Sequence, residues 1–307
     1  MNKKLIVTAM GLVMAGAVGL ANADVKLYGQ IDLSLNWTDS DAPGFEDDIN
    51  MTSNTSAFGI KGSEDLGNGM SAFFKLEWDT DLTQGRSDLN GRDQYIGVKM
   101  QRFGKMTFGT TSTAYKSPGS KIDAFYRTPL QSRAVGLQSN LHSGKGEEGA
   151  GRGTNMVRYD SPKMFGGLGF TATYQFDSDK QTPGSDDDDP YSLGLTYKGG
   201  NFYAAASYID TQQGGDASAA QFLGKYTWNN LSIHGIYELD MGLITDARST
   251  GTSEDDGADI WSAGFGYTIG NNLIGADFGQ QSDSDGRDGI SGTGDDVEEY
   301  DVWRIAA

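Results

Sequence analysis

Chain positions 25–37 read Val25-Lys-Leu-Tyr-Gly-Gln-Ile-Asp-Leu-Ser-Leu-Asn-Trp37. Every odd position carries an apolar residue or glycine, and the even positions carry mainly polar residues. Because successive side chains of a β-strand point to opposite faces, this pattern predicts a strand with one apolar and one polar side. The segment is long enough for a tilted strand to cross the hydrocarbon core of a membrane.

The same alternation recurs along the chain. In one example, Tyr191, Leu193, Leu195 and Tyr197 alternate with polar or small residues. The apolar sides tend to begin or end in Tyr, Trp or Phe, and such rings favour the boundary between lipid and water. About fourteen strands are predicted. They start near Val25, Thr55, Met70, Arg92, Lys105, Thr154, Leu168, Pro190, Asn201, Ala219, Leu231, Asp259, Asn272 and Glu298.

The connections between these strands alternate in length. Short turns such as 199–200 and 229–230 are followed by long polar loops, of which 111–153 is the longest. Membrane barrels have this rhythm, with short periplasmic turns and long external loops. In hydrocarbon, strands satisfy their backbone hydrogen bonds only in a closed barrel. The predicted fold class is therefore all-β, a transmembrane antiparallel β-barrel, and the alternative is a soluble β-sandwich with half-buried strands.

The first 23 residues have the features of a secretory signal peptide. Lys3 and Lys4 form a positive region, 5–20 is apolar or small, and Ala21-Asn-Ala23 is a small-x-small cleavage signal. We therefore expect a signal peptide at 1–23 and a barrel domain at 24–307.

The chain is acidic and contains no cysteine. It has 42 Asp and Glu against 24 Lys and Arg, which gives a formal net charge of −18. Binding nucleic acid takes basic patches, so nucleic acid is not expected as a partner. Without disulfides, an exported chain must be stabilised by packing and hydrogen bonds. After residue 23 there is no long apolar run, so no membrane-spanning helix is predicted.

Several short motifs resemble the Gram-negative general porins. They are Leu27-Tyr-Gly29, Phe58-Gly-Ile-Lys-Gly-Ser-Glu-Asp-Leu-Gly-Asn-Gly69, Tyr95-Ile-Gly-Val98, Phe108-Gly109, Arg158-Tyr-Asp-Ser-Pro162 and Phe165-Gly-Gly167. The resemblance runs from Asp24 to the last residue. It implies a 16-stranded barrel that forms a homotrimer in the outer membrane, in contact with lipid and lipopolysaccharide.

The end of the chain departs from the pattern of that family. Its members usually close on a C-terminal aromatic residue, whereas this sequence stops at Trp303-Arg-Ile-Ala-Ala307, within or at the end of strand fourteen. We therefore expect that the last two strands are missing from this sequence.

The resemblance also implies where selectivity is set. In the family, the longest loop folds back into the barrel, and its acidic groups face a ladder of basic groups on the wall. Such opposed charges create a transverse field in the pore. The parity of Ile96 and Val98 would put Arg92 on the lipid side, so its placement requires a bulge or a strand start near Asp93. The positions of the predicted constriction are Asp123, Arg92, Arg152, Lys61, Arg127, Arg158 and Lys75.

Acidic runs lie mainly in the long loops, at 186–189, 254–256 and 283–299. They would raise the cation concentration at the mouth of a pore, which favours weak cation selectivity. The alternative interpretation is that these acidic residues only keep the loop tips soluble. Asp283-Ser-Asp-Gly-Arg-Asp-Gly289 has some features of a calcium loop but lacks the full spacing, so no metal site is assigned.

Two functions remain open from the sequence. The first is a water-filled channel for passive transport of ions and small hydrophilic solutes. The alternative is an adhesin or phage-receptor barrel that acts through its external loops. No enzyme is predicted, because His142 and His234 lack an assignable base–orienter partner and there is no Gly-x-Ser-x-Gly elbow. No cofactor is predicted either, since there is no phosphate loop or metal-ligand cluster.

Overall fold

The computed structural model describes residues 24–38, 48–85, 89–145, 151–176, 189–211, 218–246, 258–283 and 299–306. The predicted signal peptide at 1–23 lies outside these ranges. The described helices are short, and none of them has the length and apolar character needed to span a membrane.

The described chain is built mainly from β-strands. These are β1 (Asp24–Gln30), β2 (Leu33–Thr38), β3 (Asp48–Ser53), β4 (Ala57–Gly67), β5 (Met70–Asp79), β6 (Asn90–Met100), β7 (Gly104–Ser112), β8 (Arg152–Asp160), β9 (Leu168–Gln175), β10 (Tyr191–Gly199), β11 (Phe202–Asp210), β12 (Ser218–Trp228), β13 (Leu231–Met241), β14 (Ile260–Ile269), β15 (Asn272–Gln281) and β16 (Tyr300–Ala306). The helices are α1 (Lys116–Ile122) and α2 (Leu243–Asp246), with short 3-10 turns at Ser132–Ala134 and Asn140–His142.

Fourteen of these strands form one antiparallel sheet in the order β1-β4-β5 and then in sequence to β16. Strands β2 and β3 pair with each other in a separate two-stranded sheet between β1 and β4 in sequence. The main sheet has the predicted fourteen strands, and β5, β9, β13 and β15 start at the predicted residues. The prediction of one continuous strand over 25–37 was wrong, because the chain there is divided into β1 and β2, which belong to different sheets. Within the described chain, β1 and β16 are the two edges of the sheet.

Exposure along the strands is the reverse of that in a soluble protein. In β10, Leu193 is 41% exposed and Leu195 is 50% exposed, whereas Ser192 beside them is 1% exposed. Apolar side chains of the other strands, such as Phe222 and Ile233, are also exposed. This arrangement suits a sheet with hydrocarbon outside and polar groups inside. A soluble sandwich would bury the apolar faces, so that alternative is wrong.

The long–short rhythm of the connections is confirmed. Two residues each join β10 to β11, β12 to β13 and β14 to β15. Gly200, Asn229 and Gly270 in these turns have positive φ angles of 53°, 49° and 60°, which two-residue hairpins of twisted strands require. The short turns therefore mark one end of the sheet, and the long connections mark the other.

The described parts of the connection between β7 and β8, residues 113–145 and 151, lie inside the curve of the sheet, and we call them the inner loop. Ala114 N donates to Ser192 Oγ of β10 at 2.9 Å, and Ser262 Oγ of β14 donates to Leu137 O at 3.2 Å. On the other side, Arg127 Nη1 donates to Gln30 Oε1 of β1 at 2.8 Å. Because these strands are far apart in the sheet, the sheet must curl around the loop.

Candidate functional site

A cluster of alternating charges lines the wall formed by β5, β6 and β8. Arg92 Nε donates to Glu77 Oε1 at 2.8 Å, and Arg152 Nε donates to Asp93 Oδ1 at 2.8 Å. Lys75 Nζ bridges the two acids, at 2.8 Å from Asp93 and 2.9 Å from Glu77. The structure thus brings three predicted bases together. Their acidic partners were not singled out from the sequence, although both lie within two residues of a predicted base.

A bulge in β6 turns Arg92 toward the polar side of the sheet. The pairing of β5 with β6 shifts between Leu76 and Trp78, so that Arg92 and Asp93 lie opposite the single residue Glu77. Such a bulge changes the parity of the strand, as the predicted place of Arg92 on the pore wall requires.

Asp123 follows α1 and is buried. Its Oδ1 accepts hydrogen bonds from Phe125 N at 3.0 Å and from Arg304 Nη2 at 2.9 Å, and its Oδ2 accepts one from Ser132 N at 2.8 Å. The carboxylate therefore shapes the inner loop and joins it to β16. Its charge is met by an arginine that was not singled out from the sequence.

The contacts around Asp123 and Arg304 form a first anchor, which holds the inner loop to the wall. Arg304 is at its centre, and its side chain is 3% exposed. It also donates to Ser132 Oγ at 2.9 Å and to Asp277 Oδ2 at 2.8 Å, and its guanidinium lies 4.9 Å from the ring centroid of Phe125. Asp277 is further bonded to His234. The network spans β13, β15, β16 and the loop, so it fixes the loop against one part of the wall.

A second anchor holds the inner loop to β13. Glu238 is fully buried and accepts hydrogen bonds from Tyr115 OH at 3.2 Å and Ser139 N at 3.3 Å, while His142 Nε2 lies 2.9 Å from it. Burial, together with the Glu238 charge, raises the pKa of Tyr115 well above its usual value. His142 and His234, for which the sequence alone assigned no base–orienter partner, each contact a buried carboxylate in the structure.

The remaining predicted positions lie at three places. Lys61 is the cross-strand neighbour of Lys75 and sits 4.9 Å from the ring centroid of Tyr28, so it extends the wall cluster toward β1. Arg127 reaches β1, as described above. Arg158 pairs with an aspartate two residues along β8 and donates to Ser117 Oγ of α1 at 2.8 Å, at the base of the inner loop.

Lys116 at the start of α1 is a buried cation that sequence reasoning missed. It is 6% exposed, and its ammonium group has no hydrogen bond or ion pair to any described residue. Burial, reinforced by Arg152, Arg133 and Arg92, lowers the pKa of Lys116 to about 7. A cavity of about 510 Å³ adjoins it. The charged residues that line this cavity are Asp79, Arg92, Lys116, Arg133, Lys145 and Arg152.

The ion-binding predictions fall largely on parts of the chain that are not described. The runs at 186–189, 254–256 and 283–299 lie almost wholly outside the described ranges, as does the calcium-like motif. The weak cation selectivity based on them stays a prediction. Among the described residues, no group of three or more His, Cys, Asp or Glu is placed to hold a metal ion.

Comparison with known proteins decides the family. A sequence model of the Gram-negative porins matches residues 8–303. The chain belongs to the Gram-negative porin family. An outer membrane porin protein of Bordetella pertussis is 30% identical over 322 residues, which cover 93% of this chain and 78% of that protein. The major outer membrane protein P.IB of Neisseria meningitidis serogroup B is 31% identical over 209 residues, which cover 66% of this chain and 57% of that protein.

Solved porin structures share the fold. The anion-selective porin from Comamonas acidovorans matches with a TM-score of 0.68 at 20% identity, over 85% of this chain and 79% of that one. Salmonella typhi OmpF, in complex with daunomycin, matches with a TM-score of 0.64 at 17% identity, over 89% and 82%. The predicted barrel class, the family and the outer-membrane location are confirmed. The chain spans little more than half the length of the Neisseria relative.

Proposed function

We propose that this porin is a general diffusion channel whose narrowest part lies between the inner loop and the wall of β5, β6 and β8. The observation that carries the proposal is the position of the loop, which is anchored inside the sheet by Glu238 and Arg304. Cavities of about 510 and 680 Å³ remain on its two sides. A lumen that is polar and only partly filled suits passage of ions and small hydrophilic solutes.

The predicted constriction residues have different roles in this proposal. Arg92, Arg152, Lys75 and Lys61 supply fixed charge on the wall, where their acidic neighbours hold the first three in place. Fixed charges in a narrow, partly desolvated gap orient polar solutes and penalise apolar ones. Asp123 acts indirectly, because it positions the loop through its contact with β16. The remaining two residues, Arg127 and Arg158, hold the loop to β1 and to its own base.

Conductance in planar lipid bilayers tests the channel. We expect stepwise openings from the purified protein, whereas a silent membrane would favour the receptor alternative. The variants Arg92→Gln and Arg152→Gln are expected to shift the reversal potential in a salt gradient. Arg102→Gln, which removes an exposed charge from the short turn after β6, is the matched control and should leave the potential unchanged.

Further parts of the proposal concern processing and assembly. We propose cleavage after Ala23 and a homotrimer in contact with lipid and lipopolysaccharide. N-terminal sequencing of the mature protein should begin at Asp24, and chemical cross-linking in mild detergent should trap three subunits. We also propose that the protein is not an enzyme, since its two histidine–carboxylate pairs are buried between loop and wall.

A further inference from the structure

A second cavity lies beyond the constriction, at the short-turn end of the sheet. It has a volume of about 680 Å³ and is lined by residues of α1, of the strands from β8 to β12 and of the turns between them. Its charged lining residues are Lys121, Arg158, Asp160, Lys163, Lys198 and Lys225. We call this cavity the lysine vestibule.

The positive charge of the vestibule is not neutralised by its walls. Asp160 is the one acid among the described lining residues, and it already pairs with Arg158 at 2.7 Å and with Lys105 at 3.1 Å. The four lining lysines form no ion pair with any residue in the described part of the chain. Lys163 Nζ makes one hydrogen bond, to Thr196 Oγ1 at 3.2 Å.

The strand register directs two of these lysines to one place. Lys198 of β10 lies opposite Tyr203 of β11, which lies opposite Lys225 of β12. Residues that pair in this way share a face of the sheet, and two strand spacings put the backbones of the lysines about 10 Å apart. The side chains are long enough to contact one small solute between them.

Two further lysines approach from other elements. Lys163 comes from the turn between β8 and β9, and its side chain lies over Gly169 on the face of the sheet. A Cβ at position 169 would lie 2.6 Å from Lys163 Nζ, so the glycine leaves room for the lysine. Lys121 comes from the last turn of α1 on the opposite side of the cavity. Positive groups therefore surround the space on several sides.

We propose that the lysine vestibule binds small dianions that carry carboxylate or phosphate groups. The inference rests on the proposed channel, through which such a solute would reach the site. Ammonium groups bind these oxygens through charge-assisted hydrogen bonds, and a low-dielectric wall strengthens their combined field. Because Lys121, Lys163 and Lys198 are exposed and remain hydrated, binding is weak enough for the solute to leave again. The predicted cation preference of the external loops concerns the other end of the pore.

Channel block by added anions tests this site in bilayers at 0.1 M KCl. The probes are inorganic phosphate at pH 8 and succinate, and each should reduce the chloride current in a saturable way. Lys198→Gln combined with Lys225→Gln is expected to raise the half-blocking concentration about tenfold, which is the Coulomb effect of two charges near 6 Å in screened water. Lys198→Arg with Lys225→Arg keeps the charges and should retain the block. Arg102→Gln again serves as the control.

The outcomes separate this inference from the channel itself. Absence of stepwise openings would contradict the proposed function. Normal openings without saturable block by either probe, or a glutamine double variant blocked at the wild-type concentration, would overturn the vestibule. Block by one probe supports the site and identifies its preferred class. Should the double variant fail to form channels, Lys121→Gln changes an exposed helix residue, and its half-blocking concentration should rise about threefold.

Discussion

Replacement of Arg304 by methionine tests whether β16 holds the inner loop in place. The arginine donates to Asp123 Oδ1 and Ser132 Oγ at 2.9 Å each and to Asp277 Oδ2 at 2.8 Å, in an environment closed to water. Methionine keeps much of the aliphatic volume but leaves two buried carboxylates without their shared cation. Removal of one partner from a buried ion pair costs about 3–5 kcal/mol.

This cost should appear as local opening of the loop. The amides of Phe125 and Ser132 donate to Asp123, so their hydrogen exchange reports when this turn opens. Since each 1.4 kcal/mol is a factor of ten, exchange should accelerate by about a hundredfold to four-thousandfold. Amides near Ser139 should keep their protection, because the Glu238 anchor is intact. Hydrogen-exchange mass spectrometry in detergent resolves these two parts of the loop.

A second variant controls for the unpaired charge. Addition of Asp123→Asn to Arg304→Met removes one of the two carboxylates, so part of the protection should return if the residues are coupled. Wild-type exchange across 123–132 in the single variant would refute the anchor. Equal loss of protection around Ser139 would refute the independence of the two anchors.

Three further predictions concern stability in detergent or lipid. Burial lowers the pKa of Lys116 to about 7, whereas a lysine in the unfolded chain has a pKa of about 10.4. Between these pH values the folded state binds fewer protons than the unfolded chain, so wild-type stability should rise with pH. Lys116→Met should abolish this rise and stabilise the protein most below pH 7, as thermal unfolding at several pH values will show. Gly109→Ala should lower the unfolding temperature, because φ at Gly109 is 123° and a Cβ there would lie 2.4 Å from a carbonyl oxygen of β6. Gly224→Ala should be tolerated, because no atom lies closer than 3.8 Å to a Cβ at that position. Equal effects of the two substitutions would contradict the backbone argument. Leu195→Arg on the lipid face should cost about 2–4 kcal/mol in urea unfolding, and Thr196→Arg on the lumen face should cost far less; a reversed order would invert the assigned faces.

Most of the fold could be predicted because the membrane imposes one rule on every strand. Lipid outside and water inside require alternate residues to be apolar, and this period of two can be read from each strand alone. The same rule revealed an irregularity. The parity of Ile96 put Arg92 on the wrong face, and the conflict pointed to the bulge that the structure has opposite Glu77.

The candidate site was less predictable because its contacts join distant parts of the chain. Arg304 and Asp123 are 181 positions apart, and His142 and Glu238 are 96 apart. Alternation tells which face a residue occupies but not which strand or loop it meets. A usable signal was present, since Glu238 is a charge on the inward parity of β13 and therefore needs a partner inside the barrel. The expected source of that partner is the longest loop, because a loop inside the barrel must be attached to its wall.

The distribution of charge along the pore axis, rather than the net charge of the chain, determines the electrostatic field that a solute experiences in the lumen. The whole chain carries −18, yet the charged residues that line the described lumen on both sides of the inner loop are mainly lysine and arginine. The strands that flank the acidic runs in sequence end at the opposite end of the sheet from the lysine vestibule. Exposed charges more than about 10 Å away are largely screened at 0.1 M salt, whereas charges against a low-dielectric wall are screened less. A solute in the lumen therefore responds to the residues around the loop, and an acidic composition does not by itself predict a cation-selective pore.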